Sequence, residues 1–255
     1  PVVIPTEPAF EAGKSKVFTK PVILNIICYG ILAFHTMTYD SLFPLFLDNT
    51  NNGNPKKIEN PIKFTGPLEY DQAIVGVIMA FQGMYSLFSN YIIVAPITRR
   101  LGSLRLFRML SSSYFVLYLV TPYLVLLPQN MVLPAIYVVA AWKCTYSTMS
   151  YPSNAILLAN SAPSKEVLGT INGVAASTAS LSRALGPVLS GFLFSFGGSS
   201  GYSVLAWWFS GLMTIVGAFI SYRITETAQQ PILDTCDDIT FDEALLDDYS
   251  DDERV

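Results

Sequence analysis

Charge is scarce in this chain. Only 13% of its 255 residues are Asp, Glu, Lys or Arg, where a soluble domain carries about 25%. Histidine occurs once, at His35, which argues against a zinc site of the ordinary type. The three cysteines, Cys28, Cys144 and Cys236, give no disulfide framework. No G-x-x-x-x-G-K-[ST] loop is present, so the chain cannot hold ATP in the P-loop manner. No Asn-x-Ser/Thr sequon occurs, and "PVVIPTEPAFEAGKSK" shows no signal peptide. The first residue is not Met, and the expectation is a piece of something longer. No metal-ligand set and no nucleophile–base pair stands at helical spacing, which argues against an enzyme. No cofactor is expected.

What the chain has is apolar length. It is 51% hydrophobic, with a mean hydropathy of +0.43. Its net charge of -4 lacks the basic footprint of a nucleic-acid binder. Six stretches reach the roughly 20 apolar residues that cross a bilayer. They are Val22–Leu47, Ala73–Ile97, Phe107–Leu127, Val132–Ala159, Val167–Phe196 and Tyr202–Tyr222. Lipid requires each span to satisfy its own backbone, so helices are expected. Pro44, Pro122, Pro152 and Pro187 are tolerated there because neighbouring helices re-satisfy the freed carbonyls.

Cations fall in alternate links. Lys14, Lys16 and Lys20 precede the first span, Arg99, Arg100, Arg105 and Arg108 fill the second link, Lys165 lies in the fourth, and Arg223 opens the tail. "LPQNM" and "GGSSG" have none. Only the first link breaks the pattern, with Lys56, Lys57 and Lys63 partly offset by Asp48, Glu59 and Glu69. The cation-rich side is expected in the cytoplasm, with both termini. Residues 1–21 then read as a cytoplasmic segment or linker, 22–223 as the transmembrane domain, and 224–255 as an acidic, disordered cytoplasmic tail. In that tail Asp242, Leu245 and Leu246 match a dileucine sorting pattern, and Ser250 precedes three acids. Motifs so short often match by chance.

Ionisable groups inside a membrane are costly and are functional candidates by default. Here they are His35 and Asp40 in the first span, Lys143 in the fourth and Arg183 in the fifth. His35, Lys143, Arg183 and also Gln82 fall near mid-bilayer, and Asp40 lies roughly 8 Å outward of His35. Lys143, Ser147, Ser150 and Asn154 share one helical face, and Gln82, Ser86 and Asn90 make a similar stripe. Such stripes line a water-accessible cavity or bond helix to helix in a packed bundle. His35 alone also reads as a satisfied core histidine. In the fifth span Gly169 and Gly173, and then Ser182, Gly186 and Ser190, form rows of small residues that permit close helix approach.

"PITRRLGSLRLFR" resembles the inner-loop signature that major facilitator superfamily transporters repeat in each half. Arg100, Gly102 and Arg105 fit it, while Ala95 replaces the leading glycine and Arg99 stands where the acid would be. That decay is usual in the second half. "LGTINGVAASTASLSRALGPVLSGFLFS" is similar to the eleventh helix of the drug:proton antiporter branch, especially its zinc-induced facilitator-like members. "FTGPLEYDQAIVGVIMAFQG" is similar to their approach to the eighth helix. The resemblance implies an all-α membrane protein, six transmembrane helices forming one half of a twelve-helix bundle. It implies an N-terminal half as partner and a small-molecule solute as cargo. Sites in that fold sit near the midplane between repeats, where Lys143 and Arg183 would meet an anionic group or a carboxylate of the other half. The loop arginines would then brace the cytoplasmic helix ends.

The reading is a secondary transporter working by alternating access with a proton gradient. A non-transporting sensor or scaffold of the same fold is the alternative. Proton coupling needs a titratable carrier in the membrane, and Asp40 and His35 are the candidates of this half. They lie about 500° apart around the helix at roughly 100° per residue, so they are expected to act as separate stations. The organelle and the cargo are not legible.

Overall fold

Long apolar segments leave a chain few choices in lipid, and helix dominates here. A computed structural model describes residues 17–48, 57, 58, 60, 63–65 and 68–225. The leading Lys14 and Lys16, and the tail with Cys236, the dileucine pattern and Ser250, lie outside the described residues.

The first helix, α1, runs Lys20–Leu47 and contains Pro44. A two-residue antiparallel pair follows, β1 (Lys57–Ile58) with β2 (Phe64–Thr65). α2 spans Gln72–Phe88 and continues through a π-helical stretch, Ser89–Val94, into α3, Ala95–Leu101. α4 spans Ser103–Val120 and tightens into a 3-10 turn, Thr121–Leu126, at Pro122. α5 (Gln129–Ser161) and α6 (Leu168–Ser200) have 33 residues each, and α7 is Leu205–Arg223. Among the described residues these make six rods. Four of them, Lys20–Leu47, Gln72–Leu101, Ser103–Leu126 and Leu205–Arg223, are both long and apolar enough to cross a membrane. α5 and α6 are the exceptions, and they carry the polar stripe and the small-residue rows. Their polarity lowers the hydropathy that would otherwise mark them.

The rods alternate in direction. At one end the start of α1 meets the finish of α5, through the Asn25 amide to Ser161 Oγ at 2.7 Å. At the same end the start of α4 meets the finish of α7, through Arg108 to the Ile224 carbonyl at 2.6 Å. At the opposite end the first link folds over the bundle. The Ser203 amide donates to the Phe64 carbonyl at 3.2 Å, and the fully buried Phe64 ring lies 6.2 Å from Tyr123. The sequence treats this link as a loop with stray lysines; it closes one end of the bundle.

The opening between α3 and α4 is a single residue. Gly102 has φ 74° and ψ 153°, a region open almost only to glycine. The four arginines therefore sit on two abutting helices and not on a free loop.

The core is aromatic. Tyr39 stacks on Phe43, and Trp207 meets Tyr39 and Phe46 edge-on. α1 packs most closely on α6, where a Cβ on Gly186 would meet the Phe34 carbonyl and Thr38 Oγ1 at 2.8 Å. Gly30 faces Thr178 and Ser182 in the same seam. The outward surface is apolar instead of charged, with Met84, Leu87 and Tyr91 on the α2 rod and Val188, Phe192 and Phe196 on α6 all exposed. A surface of that kind faces lipid or another protein surface.

Candidate functional site

Two antiparallel helices build the site. α1 and α5 run side by side, joined at successive levels by Asn25 to Ser161, Thr36 to Tyr151 and Asp40 to Lys143. Tyr29, Thr36 and Asp40 follow the i, i+7, i+11 spacing of one helical face, and Lys143, Ser147 and Tyr151 repeat every four residues on α5.

The upper level is an ion pair. Lys143 Nζ donates to Asp40 Oδ1 and lies 5.8 Å from the Tyr39 ring centroid. The pair is lopsided: the lysine side chain is 8% exposed and the aspartate 43%. The cation is sealed inside this chain, and the acid faces outward. The expectation that Lys143 looks to a solute or another half for its counter-charge is replaced by a partner within the chain. Periodicity within one span gives a face and a depth, but not the helix that face meets.

His35 is placed elsewhere. It is 4% exposed and turned towards α4, edge-on to Tyr114 with centroids 4.7 Å apart. Tyr118 donates its one hydroxyl proton to the His35 carbonyl at 2.5 Å. Its oxygen, 3.0 Å from Nδ1, therefore accepts from Nδ1–H, which places a ring proton on Nδ1. His35 and Asp40 are thus separate, and only Asp40 is on the open side. A small cavity beside His35 is lined by Tyr114, Ser150, Cys28 and Thr214.

The lower level lies about 12 Å further along α5, eight residues from Lys143. Arg183 of α6 sits over the Tyr151 ring at 5.8 Å. Tyr151 is held by a 2.6 Å hydroxyl contact with Thr36 Oγ1 and by Tyr29, which meets it edge-on at 6.0 Å.

The other polar positions divide. Ser147 is half-buried, whereas Ser150 and Asn154 are 2% and 0% exposed and turn into the bundle. Both amide atoms of Asn154, and Nε2 of the half-buried Gln82, lie buried without a partner among the described residues. Buried amides demand partners, and water is the natural one. The seam between the α2 rod and α5 joins Cys144 to the Gln82 carbonyl at 3.5 Å and also uses residues the sequence reading did not name. Tyr85 bonds Thr145 at 3.0 Å, and Ser89 bonds Thr148 at 2.9 Å. Their signal was present as hydroxyls four and three residues apart on facing helices.

Arg99, Arg100 and Arg105 are exposed. Arg108, which ends the signature-like stretch but is not one of its matching positions, grips the end of α7 through the carbonyls of Ser221 and Ile224. It satisfies orphan acceptors and sets a cation at a helix C-terminus. Gly186 and Ser190 are buried and Ser182 half-buried in the α6 row that meets α1. Gly169 and Gly173 are exposed, and a Cβ on either would meet nothing within 4 Å. Among the described residues their row packs on no other helix.

Comparison with known proteins fits this architecture. The chain is 46% identical over 220 residues to the major facilitator superfamily multidrug transporter mfsB of Aspergillus fumigatus, covering 85% of this chain and 36% of that protein. This chain belongs to the major facilitator superfamily. Two relatives from Arabidopsis thaliana carry the name of the zinc-induced facilitator branch. The protein ZINC INDUCED FACILITATOR-LIKE 1 is 27% identical over 184 residues, 72% of this chain and 36% of the relative. ZINC INDUCED FACILITATOR 1 is 26% identical over 186 residues, 72% of this chain and 35% of the relative. The chain spans about a third of the length of the curated relatives it matches. No family model matches it, and no solved structure does. Superfamily membership, with these spans, makes this an integral, multi-pass membrane protein.

Proposed function

We propose that this chain is one six-helix half of a secondary active transporter that moves a small solute by alternating access, driven by protons. The Asp40–Lys143 pair carries the reading. A charge pair with one sealed and one open member can switch: a proton on Asp40 removes the attraction, and Lys143 must then find another partner. Breaking a partly buried pair disturbs local packing by an energy on the order of 3 kcal/mol. That supplies more than half of the about 5.5 kcal/mol that shifts two arrangements of α1 and α5 from 1:99 to 99:1. Solute binding can contribute the difference.

The remaining half covers the open face of α1, α5 and α6, where Asp40, Arg183 and the row of Gly169 and Gly173 look outward. α5 and α6 cross the membrane with the other four rods, the polar stripe of α5 turned largely into this bundle and the open face of α6 covered by that half. Both ends of the described bundle segment, and Arg99–Arg108, then face the cytoplasm.

Vesicles holding the full-length protein test both parts. An imposed pH gradient should drive solute above its equilibrium level, and a protonophore should return it to equilibrium. Accumulation that survives the protonophore contradicts proton coupling. In the same vesicles, single cysteines at Asn52 and Ser103, in a background lacking Cys28, Cys144 and Cys236, should react with an impermeant reagent from opposite sides. Labelling from one side overturns the six-span arrangement.

A further inference from the structure

We propose that Arg183, Tyr151 and Tyr29 form a subsite for the anionic group of a flat aromatic solute, a carboxylate or sulfonate carried on a ring. The proposal rests on the transporter reading above and deepens it by naming a substrate class.

The argument starts from an unmet demand. Arginine stays charged in any protein environment, and Arg183 sits midway along a 33-residue helix. At such depth a cation needs a counter-charge or a set of acceptors. Among the described residues Arg183 has neither a carboxylate nor a hydrogen-bond acceptor, and its recorded contact is the face of Tyr151. The acid along the same face, Asp40, is committed to Lys143. It is also eleven residues from Tyr29, about 16 Å along α1. A ring beneath a guanidinium steadies its position but leaves the five N–H donors unmet.

The surroundings are built and not incidental. Three helices supply the three side chains, and Tyr151 is fixed by Thr36 on one side and Tyr29 on another. Arg183, Tyr151 and Tyr29 are each only partly buried, so the donors and the ring surfaces stay open on the side that α1, α5 and α6 share. A fork of N–H donors matches a carboxylate or sulfonate in two-point contact, and adjoining aromatic surfaces match the ring that bears it. The neutralised pair above adds no net charge, so the sign of the preferred solute is set at Arg183.

The test uses the full-length protein in lipid nanodiscs and three probes with one ring system: naphthalene sulfonate, naphthol and naphthyl trimethylammonium. The wild type is expected to bind the sulfonate most tightly. Arg183→Gln should weaken the sulfonate by about tenfold or more and leave the other two within about twofold. Arg183→Lys, which keeps the charge but not the fork, should fall between and guards against a variant that fails to fold. Equal binding of all three probes by the wild type overturns the proposal, as does an equal loss for all three, or no loss, in Arg183→Gln. Tighter ammonium binding by Arg183→Gln also overturns it, since that marks a protein carboxylate as the native partner. Selective binding without proton-driven movement in vesicles would contradict the transporter reading and leave the subsite standing.

Discussion

In the full-length protein, Asp40→Asn should lose at least about tenfold in solute accumulation against a gradient, a loss of about 1.4 kcal/mol or more in driving force, while downhill exchange continues. Asparagine keeps the size of the side chain and an oxygen that can accept from Lys143, but it cannot take up and release a proton. Solute should therefore still cross, uncoupled from the gradient. The expectation depends on Asp40 being the open member of its pair, 43% exposed where Lys143 is 8%. Transport assays in the same vesicles decide it. Undiminished accumulation would move the coupling proton to another residue and leave Asp40 as a partner that merely neutralises Lys143.

The second large effect is on stability, and it is asymmetric. Removing Asp40's charge leaves a sealed lysine without a counter-ion, which should cost about 3 kcal/mol. Lys143→Met leaves an aspartate that reaches solvent or the covering half, and should cost only about 1 kcal/mol. The double variant Asp40→Asn with Lys143→Met should recover most of the Asp40→Asn loss, because paired charges replaced together are often near neutral. Thermal inactivation of the detergent-purified full-length protein, run as a double-mutant cycle, measures the coupling. Additive losses would mean that the two side chains do not act as a pair.

How much of this was legible beforehand follows from what one span can encode. The helices were readable because apolar length in lipid permits little else, and α1 and α7 begin and end within two or three residues of the expected bounds. The polar residues at mid-depth were readable by type alone. Their partners were not. Lys143 carries no mark that its acid is on α1, 103 positions away in sequence. His35 gives no sign that Tyr118 fixes its ring from α4. The small rows of α6 look equivalent in sequence, yet Gly186 is pressed against α1, while among the described residues a Cβ on Gly169 or Gly173 would meet nothing within 4 Å. Which row is used depends on the rotation of α6, a property of the packed bundle. The closing link at Phe64 was missed for a related reason: two-residue strands fall below any periodicity.

The central claim is that a proton on Asp40 and its ion pair with Lys143 exclude one another during the transport cycle. Solute-linked proton exchange by the full-length protein in weakly buffered detergent solution measures this most directly. The wild type should take up or release about one proton per molecule when solute binds, and Asp40→Asn should exchange none while still binding solute. The same proton count in both proteins would contradict the account.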